Sequence, residues 1–216
     1  MLVYTAVFGG YDDVAAPRCP DVANHEWRAV TDDVQLIPSP YRALPRDVAS
    51  DPRRAAREAK INGIAPPHGE VVLWHGGNVQ LTGRLTDLLP LLDQTDVAVL
   101  QHPQRRCAYD EARAVIAWGL DDPATVEAQM ARYESEGYPH ERGLSALFLL
   151  LRRRTPRIAE LEHLWWSEVS NGSVRDQLSF DYCCWRLGIT PTIIPGGLYT
   201  GPYHERNPYH KKEGKR

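Results

Sequence analysis

Residues Leu2–Asp13 read LVYTAVFGGYDD, and this stretch decides the fold class that we expect. Its first seven residues are mostly apolar, β-branched or aromatic, which is typical of a strand buried on both faces of a sheet. The pair Gly9-Gly10 then ends the strand, and Tyr11 follows in a loop. We therefore expect a central sheet with a polar loop at the carboxyl end of its first strand.

Predicted strands and helices alternate along the rest of the chain. Further strands are expected at EWRAVTDD, EVVLWHGGNVQL, DVAVLQHP and TPTIIPGGLYTG. Helices are expected at SDPRRAAREAKINGI, TGRLTDLLPLLDQ, CAYDEARAVIAWGL, ATVEAQMARYESEG, RIAELEHLWWSEVSNG and QLSFDYCCWRLG. SALFLLLRRRTP fits a strand or a buried helix, and the proline-rich stretch from Val34 to Arg46 is expected to be irregular. The alternation predicts an α/β fold with a mostly parallel sheet flanked by helices.

The bulk composition suits one globular domain. The chain has 216 residues, of which 43% are hydrophobic and 25% are charged. We expect the domain to cover residues 1–205 and a basic C-terminal tail, ending HKKEGKR, to cover 206–216. The formal net charge is -3. This charge disfavours nucleic acid as a partner, because nothing in the overall charge would hold it non-specifically.

Cysteine usage and the absence of apolar runs indicate a cytoplasmic protein. The four cysteines include the adjacent pair Cys183-Cys184 and form no C-x-x-C motif, so reduced thiols are expected. The N-terminus shows no basic leader. The sequence contains no run of 18 apolar residues, so we expect no membrane span.

Polar residues follow three of the predicted strands. They are Gly9 to Asp12, the pair Asp32-Asp33 and the stretch Gly76 to Asn78. Ligands of open α/β sheets bind at such strand ends, where glycines let backbone N–H groups approach closely and a carboxylate can accept hydrogen bonds from a ribose. Each motif alone also fits an ordinary turn.

The first predicted helix carries a basic face. It begins at Pro52 after an N-cap at Ser50 or Asp51, and Arg53, Arg57 and Lys60 then recur at helical spacing. Like charges on one face repel each other, so a partner anion such as a diphosphate is one reading. A solvated helix surface is the other.

The segment WWSEVSNGSVRDQLSFDYCCW, from Trp165 to Trp185, places Arg175, Asp176 and Gln177 among apolar neighbours. Burying these side chains is costly unless each is paired or hydrogen-bonded. They either lie on a solvated turn at a helix N-terminus, where the dipole favours Asp176, or line a polar cavity.

Three histidines stand near these motifs. His102 lies at a strand-to-helix junction within HPQRRCAYDEA, together with Arg106 and Glu111. His204 and His210 lie in YTGPYHERNPYHKK, as tail residues or as late ligands.

Taken in order, the motifs resemble the DUF616 family of glycosyltransferase-like proteins, which is related to the TOD1/MUCI70 plant group. The resemblance runs from about Leu2 to about Ile194. It rests on the following stretches: VYTAVFGGYDD, TDD, RRAAREAKI, LWHGGNVQL, QHPQRRCAYDEA, YESEGYP, GLSALFLLLRR and WWSEVSNGSVRDQLSF. It implies a single-domain, Rossmann-like fold of the GT-A type that binds a nucleotide-sugar donor at its strand ends.

The resemblance also implies roles for particular residues. Those expected to bind the donor are Thr5, Phe8, Gly9, Tyr11, Asp32, Asp33, Arg54, Arg57, Lys60 and His102. Arg54, Arg57 and Lys60 would approach the diphosphate, and Asp32 and Asp33 the base or ribose. Asp176 and Gln177 would face the sugar, with Arg175 orienting them, and these three form the expected catalytic group.

The chain departs from the family pattern at one position, which concerns the binding of a divalent cation. Relatives carry an Asp two residues after the tryptophan, where this chain has Gly76, so the usual carboxylate ligand for Mn²⁺ or Mg²⁺ is missing. His75, Asn78 or His204 would have to compensate. Otherwise basic side chains neutralise the diphosphate without a metal, or catalysis is lost.

The leading hypothesis is therefore a glycosyltransferase that moves a sugar from a nucleotide sugar, with a UDP-sugar as the expected donor, to a glycan or another hydroxyl acceptor. Inversion would require a carboxylate base, for which Asp110, Glu111 and Asp176 are candidates. The alternatives are a non-catalytic nucleotide-sugar or glycan-binding module and a phage-type enzyme that glycosylates modified DNA bases.

Overall fold

The structure is a computed structural model that describes residues 1–48, 51–63 and 69–207. Its strands are β1 (Leu2–Val7), β2 (Glu26–Thr31), β3 (Arg42–Pro45), β4 (Val71–His75), β5 (Val79–Leu81), β6 (Val97–Gln101), β7 (Ser145–Arg153), β8 (Thr192–Ile193), β9 (Thr200–Gly201) and β10 (His204–Arg206). Its α-helices are α1 (Pro52–Asn62), α2 (Ala108–Ala117), α3 (Pro123–Ser135), α4 (Pro156–Asn171) and α5 (Gln177–Arg186). Short 3-10 helices cover Val22–Asn24, Val34–Leu36 and Leu85–Leu92.

Within the described residues, the central sheet has seven strands in the order β3-β2-β1-β4-β7-β6-β8. All neighbouring pairs are parallel except those that β7 makes with β4 and with β6. The expected mixed α/β fold with a mostly parallel, Rossmann-like sheet is confirmed. The stretch that fitted either a strand or a helix is a strand, β7, and it runs antiparallel at the middle of the sheet.

Two apolar layers enclose the sheet. On one face, Tyr4, Phe8 and Trp74 pack with the helices α1, α2, α4 and α5. On the other face, Val3 and Val7 pack with the 3-10 helix Leu85–Leu92 and with residues of a small antiparallel sheet, ordered β5-β10-β9. Successive side chains of β1 thus point to opposite layers, as the pleat of a strand requires.

Helix α1 starts where the sequence signals indicated. The Asp51 carboxylate accepts hydrogen bonds from the N–H groups of Arg53 and Arg54, and Pro52 occupies the first helical turn. The alternative N-cap, Ser50, lies outside the described residues.

The expectation of irregular structure up to Arg46 was wrong for Arg42–Pro45, which forms the edge strand β3. Strand β10 reaches Arg206, the first residue of the expected tail. The rest of that tail from residue 208 onward, including His210, lies outside the described residues. Within the part of the chain that is described, no helix is both long and apolar enough to cross a membrane.

Candidate functional site

A cavity of about 650 Å³ opens at the carboxyl ends of β1 and β4. One wall is formed by the loops after these strands, which contain Gly9 and Gly77, and another by the side of α1 that bears Arg57. The turn before α5 and the first residues of β7 complete it. Because β7 runs antiparallel, its N-terminal end meets the carboxyl ends of its neighbours here. The topology therefore places the cavity where open α/β sheets bind ligands.

Positive side chains predominate in this cavity. Among the residues that the structure describes, six cationic side chains line it against four acidic ones. The cations are Arg53, Arg57, Lys60, Arg105, Arg175 and Arg206, and the acids are Asp12, Asp51, Glu111 and Asp176. The excess of positive charge suits an anionic ligand.

Asp176 lies at the centre of this charge distribution. Its Oδ1 is 3.1 Å from Nε of Arg57, and its Oδ2 accepts a hydrogen bond of 2.7 Å from Nζ of Lys60. Asp176 is only 6% exposed. Burial alone would raise the pKa of its carboxyl, but Arg57 and Lys60 outweigh burial and hold the pKa below its usual value. Asp176 is therefore ionised at neutral pH, and its carboxylate is bound to α1 instead of capping α5.

Lys60 is a buried cation that lies next to two aromatic rings. Its Nζ lies 5.9 Å from the ring centre of Trp74 and 5.4 Å from that of Trp165. Burial lowers its pKa to about 8, although Asp176 favours the charged form. Behind it, the Tyr4 hydroxyl donates to the Lys60 carbonyl at 2.5 Å. These contacts fix the position of a cation whose charge is present at neutral pH.

Gln177 is held by a clamp between α5 and β7. Its Nε2 donates to the Ser145 carbonyl at 2.8 Å, and Asp181, one turn later in α5, accepts from the Ser145 N–H at 2.7 Å and from its hydroxyl at 2.6 Å. Burial raises the pKa of Asp181 to about 6, although these hydrogen bonds oppose the shift. The clamp fixes the orientation of the Gln177 side chain at the cavity wall.

Glu111 of α2 lies between two arginines at the wall of the cavity. Nη1 of Arg105 donates to its Oε2 at 2.5 Å, and Nη2 of Arg175 lies 4.0 Å from its Oε1. Burial raises the pKa of Glu111, while the two arginines oppose that shift. The Nε atom of Arg175 is buried and has no hydrogen-bond partner within the described part of the chain. The pKa of Arg175 is lowered by burial and by the neighbouring Arg57.

His102 lines the same wall as a neutral ring. Its Nδ1 accepts hydrogen bonds from the backbone N–H groups of Gln104 at 3.2 Å and Arg105 at 2.9 Å. Burial, together with the charge of Arg105, lowers the pKa of His102 to about 4. His102 therefore adds no positive charge to the cavity at neutral pH.

Most of the residues expected at the site line the cavity. They are Phe8, Gly9, Tyr11, Arg57, Lys60, Asn78, His102, Arg175, Asp176 and Gln177. Gly9 adopts a left-handed backbone with φ of 62°, which glycine takes without strain. The chain can therefore turn sharply at the carboxyl end of β1.

Thr5, Asp32, Asp33 and Arg54 do not line the cavity. Thr5 is fully buried on the side of β1 that faces away from Tyr4 and the helices. Asp32 accepts a hydrogen bond of 2.7 Å from the Gly9 N–H, and Asp33 caps the 3-10 helix Val34–Leu36. Arg54 donates to backbone carbonyls at the end of α4. Asp32, Asp33 and Arg54 therefore hold loops and helices in place next to the site.

The three candidate metal ligands do not converge. His75 is buried in the layer opposite the helices, where Nε2 lies 2.9 Å from the Tyr41 hydroxyl and Nδ1 lies 3.0 Å from the Gly76 carbonyl oxygen. Burial lowers its pKa to about 4. His204 is buried, and its Nε2 lies 3.0 Å from the Gly197 carbonyl oxygen. Only Asn78 lines the cavity, and its Nδ2 donates to the Asn207 carbonyl at 2.8 Å.

This arrangement does not fit a divalent cation held by His75, Asn78 and His204, because both histidine rings lie away from the cavity and are engaged by neighbouring groups. Within residues 1–48, 51–63 and 69–207, no three His, Cys, Asp or Glu side chains are grouped so that they could hold a metal ion.

The sequence did not single out several residues that line the cavity: Arg105, Trp118, Phe148, Tyr199 and Arg206. One signal was available for Trp118, which follows Glu111 by seven residues and therefore lies on the same face of α2. Arg206 reaches the site from β10 and stacks on Phe148, with its guanidinium carbon 4.8 Å from the ring centre. No local pattern predicts a contact between β10 and β7.

Comparison with protein families identifies the family of this chain. The TOD1/MUCI70, glycosyltransferase-like domain family matches residues 67–194, which is more than half of the chain. No curated protein matches the chain significantly. The match covers β4 to β8 and the cavity residues from Trp74 to Gln177, while β1 and α1 precede it. The chain therefore belongs to the TOD1/MUCI70 glycosyltransferase-like family.

Proposed function

We propose that the protein transfers a sugar from a nucleotide-sugar donor, with UDP as the first choice of nucleotide, to an acceptor hydroxyl. The observation that carries this proposal is the meeting of Arg57, Lys60 and Asp176 at the wall of a cavity at the strand ends. A cation-rich pocket with a buried, ionised carboxylate offers groups for a phosphate and for a sugar hydroxyl in one place.

The diphosphate is assigned to the arginines. In the transfer, the bond between the anomeric carbon and a phosphate oxygen breaks, and the nucleoside diphosphate leaves with the electron pair. Positive groups already in place at that oxygen stabilise the charge as it develops. Arg57 and Arg175 are the first choices, because both line the cavity beside Asp176 and a guanidinium can bind phosphate oxygens in pairs.

The donor sugar is assigned to Asp176 and Gln177. Each carboxylate oxygen of Asp176 has a second lone pair, so it can accept from a sugar hydroxyl while it remains paired with Arg57 and Lys60. The Gln177 amide nitrogen uses one of its two hydrogens on the Ser145 carbonyl. Its amide oxygen is the group that accepts a hydrogen bond from the ligand.

The nucleoside is assigned to the loop after β1. Phe8, Gly9 and Tyr11 line the cavity there, and Tyr11 is exposed enough to stack on a base. Asp32 contributes indirectly, since its carboxylate fixes the Gly9 N–H.

Two of the three candidate bases remain in the proposal. Glu111 and Asp176 line the cavity, whereas Asp110 does not and is paired with Arg113. The raised pKa of Glu111 makes it the better proton acceptor of the two for an acceptor hydroxyl. The basic side chains are assigned to neutralise the negative charge of the leaving nucleoside diphosphate.

A non-catalytic module that binds a nucleotide sugar is the second candidate. The observation that favours it is Gly76, which lines the cavity at the position where the family resemblance implies an Asp. Such a module would be stabilised thermally by the nucleotide sugar without releasing the nucleotide.

The two candidates are separated by incubating the protein with a panel of UDP-sugars, with EDTA and with Mn²⁺, while release of UDP and the midpoint of thermal unfolding are measured. Release that is lost in Arg57→Met and kept in Arg54→Met supports the transferase. Arg54 is a matched control, because it lies on the same helix but bonds to α4. Stabilisation without release supports the binding module, and neither effect with any donor contradicts both.

A further inference from the structure

Trp118 is the most exposed large hydrophobic side chain in the described part of the chain, and it lines the cavity. Six such side chains are exposed among the described residues, and three of them, Tyr11, Trp118 and Tyr199, lie at this one cavity. Trp118 itself is 61% exposed. Aromatic surface gathered around one opening is typical of a ligand site and not of scattered surface residues.

The ring of Trp118 is held in a defined position. The guanidinium carbon of Arg105 lies 4.7 Å from its ring centre, and Arg105 is itself fixed by its hydrogen bond to the buried Glu111. Two residues after Trp118, the Leu120 carbonyl accepts a hydrogen bond of 2.7 Å from Nη2 of Arg53. Since Arg53 belongs to α1, this bond ties the end of α2 to the helix that carries Arg57 and Lys60.

We propose that Trp118 and Arg105 form the acceptor subsite of the transferase and that the acceptor is a carbohydrate. The apolar C–H face of one of its sugar rings stacks on the side of the indole that faces away from Arg105. This inference rests on the proposed function and names the acceptor class for the same cavity. We call these two residues the Trp118 platform.

The chemistry around the Trp118 platform favours a sugar over other acceptors. An aromatic face supplies the apolar contact, and two further polar groups of the lining, Arg53 and Gln104, supply hydrogen bonds to ring hydroxyls. A lipid chain would require a continuous apolar groove, and this cavity is lined by six cationic side chains within the described residues. A nucleic acid would have to overcome the formal net charge of -3.

The platform is also separate from the groups assigned to the donor base. Phe8 and Tyr11 follow β1, whereas Trp118 ends α2 and lies beside the start of α1 through Arg53 and Leu120. A second ring bound on Trp118 would therefore contact a part of the wall that is built by other elements than the part assigned to the nucleoside.

The test measures carbohydrate binding directly and needs no turnover. The full chain is applied to an array of neutral, amino and acidic oligosaccharides, with UDP present and absent, and the affinity of the strongest binder is then measured by calorimetry. Trp118→Ala should weaken that affinity at least about tenfold, because ring stacking adds to the apolar area that is lost. Trp118→Phe should restore most of it.

Ile193→Ala is the matched control, because Ile193 is exposed but does not line the cavity, and it should bind as wild type. Thermal unfolding of each variant confirms that the fold is kept, as expected for a side chain this exposed. Absence of binding to any oligosaccharide, or wild-type affinity in Trp118→Ala, overturns the inference.

The failure of the inference and that of the proposed function remain distinct. If Trp118→Ala weakens UDP binding instead of oligosaccharide binding, Trp118 belongs to the donor site and the acceptor subsite is wrong. If no nucleotide or UDP-sugar binds while oligosaccharide binding depends on Trp118, the Trp118 platform is a carbohydrate site and the transferase proposal fails.

Discussion

Arg57 and Asp176 form an ion pair in which Nε lies 3.1 Å from Oδ1. One residue comes from α1 and the other from the turn before α5, so the pair joins two parts of the chain that are distant in sequence. Lys60 binds the second oxygen of the same carboxylate. The buried acid thus brings two cations together at the cavity and limits their mutual repulsion.

The first prediction concerns this carboxylate. Asp176→Asn should lower the free energy of unfolding by about 3 to 5 kcal/mol, because it leaves Lys60 buried with no opposite charge of its own. Urea unfolding measures the change. Glu160→Gln, which breaks an exposed pair with Arg157, is the control and should cost less than about 1 kcal/mol.

Adding Lys60→Met to Asp176→Asn should recover part of the loss, since the unpaired charge is then removed. Equal effects of Asp176→Asn and Glu160→Gln would show that the buried pair contributes no more than a surface one.

The second prediction concerns pH. The pKa of Lys60 is lowered to about 8, so its positive charge is complete well below pH 8 and is lost as the pH rises through that value. The second pKa of a phosphate group is about 6, so UDP carries nearly its full phosphate charge above about pH 7. Binding of UDP should therefore weaken between about pH 7 and about pH 9, by up to roughly tenfold for the loss of one nearby charge.

Calorimetry over that pH range checks the slope. In Lys60→Met the side chain has similar length but no charge, so UDP should bind more weakly and with no slope near pH 8. A slope as steep in Lys60→Met as in wild type would assign the titration to another group.

Local signals in the sequence were sufficient for much of the fold. The buried strand β1 and the start of α1 at Asp51 and Pro52 follow from short patterns, and both are confirmed. Strand β7 could not be assigned, because a run of apolar residues fits a buried strand and a buried helix equally. Only its position between β4 and β6, with both faces covered, decides the matter.

The family resemblance implied which motifs line the site, but it did not give the contacts between their side chains. It implied that Arg57 and Asp176 share a cavity, whereas their direct pairing depends on how α1 and α5 pack. The alternation of a strand would have excluded His75: Trp74 packs against the helices, so its neighbour must point to the opposite layer. The same rule separates Thr5 from Tyr4.

The third prediction concerns Arg152, which supports α1 from behind the cavity. It is 2% exposed, and its guanidinium donates to the Lys60 carbonyl at 2.9 Å and to Glu162 at 2.8 Å. Arg152→Met leaves these acceptors buried with fewer donors, which should cost about 3 to 5 kcal/mol of the free energy of unfolding.

The next residue in the chain is the control. Arg153 makes a longer, more exposed pair with Asp96 at 3.8 Å, so Arg153→Met should cost less than about 1 kcal/mol. Because Arg152 holds the carbonyl of Lys60, Arg152→Met should also weaken UDP binding under conditions where the variant is folded. Similar losses in the two variants would contradict a supporting role for Arg152.

The fourth prediction compares Gly76 and Gly77, neighbours that both line the cavity. A Cβ atom on Gly77 would lie 2.6 Å from Cγ2 of Val7, which is closer than such atoms approach, and 3.0 Å from Cβ of Asp12, which is a tight contact. A Cβ on Gly76 would lie 3.2 Å from Oδ1 of Asn78, a side-chain oxygen that can move, and 3.6 Å from Cβ of Phe148. Neither glycine has a left-handed backbone, so crowding alone separates the two positions.

Gly77→Ala should therefore lower the free energy of unfolding by about 1 to 3 kcal/mol, as overpacking does, while Gly76→Ala should change it by less than about 1 kcal/mol. Urea unfolding measures both. Gly77→Ala should also weaken UDP binding, because the loop after β4 must move away from Val7 at the carboxyl end of β1. If Gly76→Ala is the more damaging change, the close approach of this loop to β1 is not what keeps Gly77 in place.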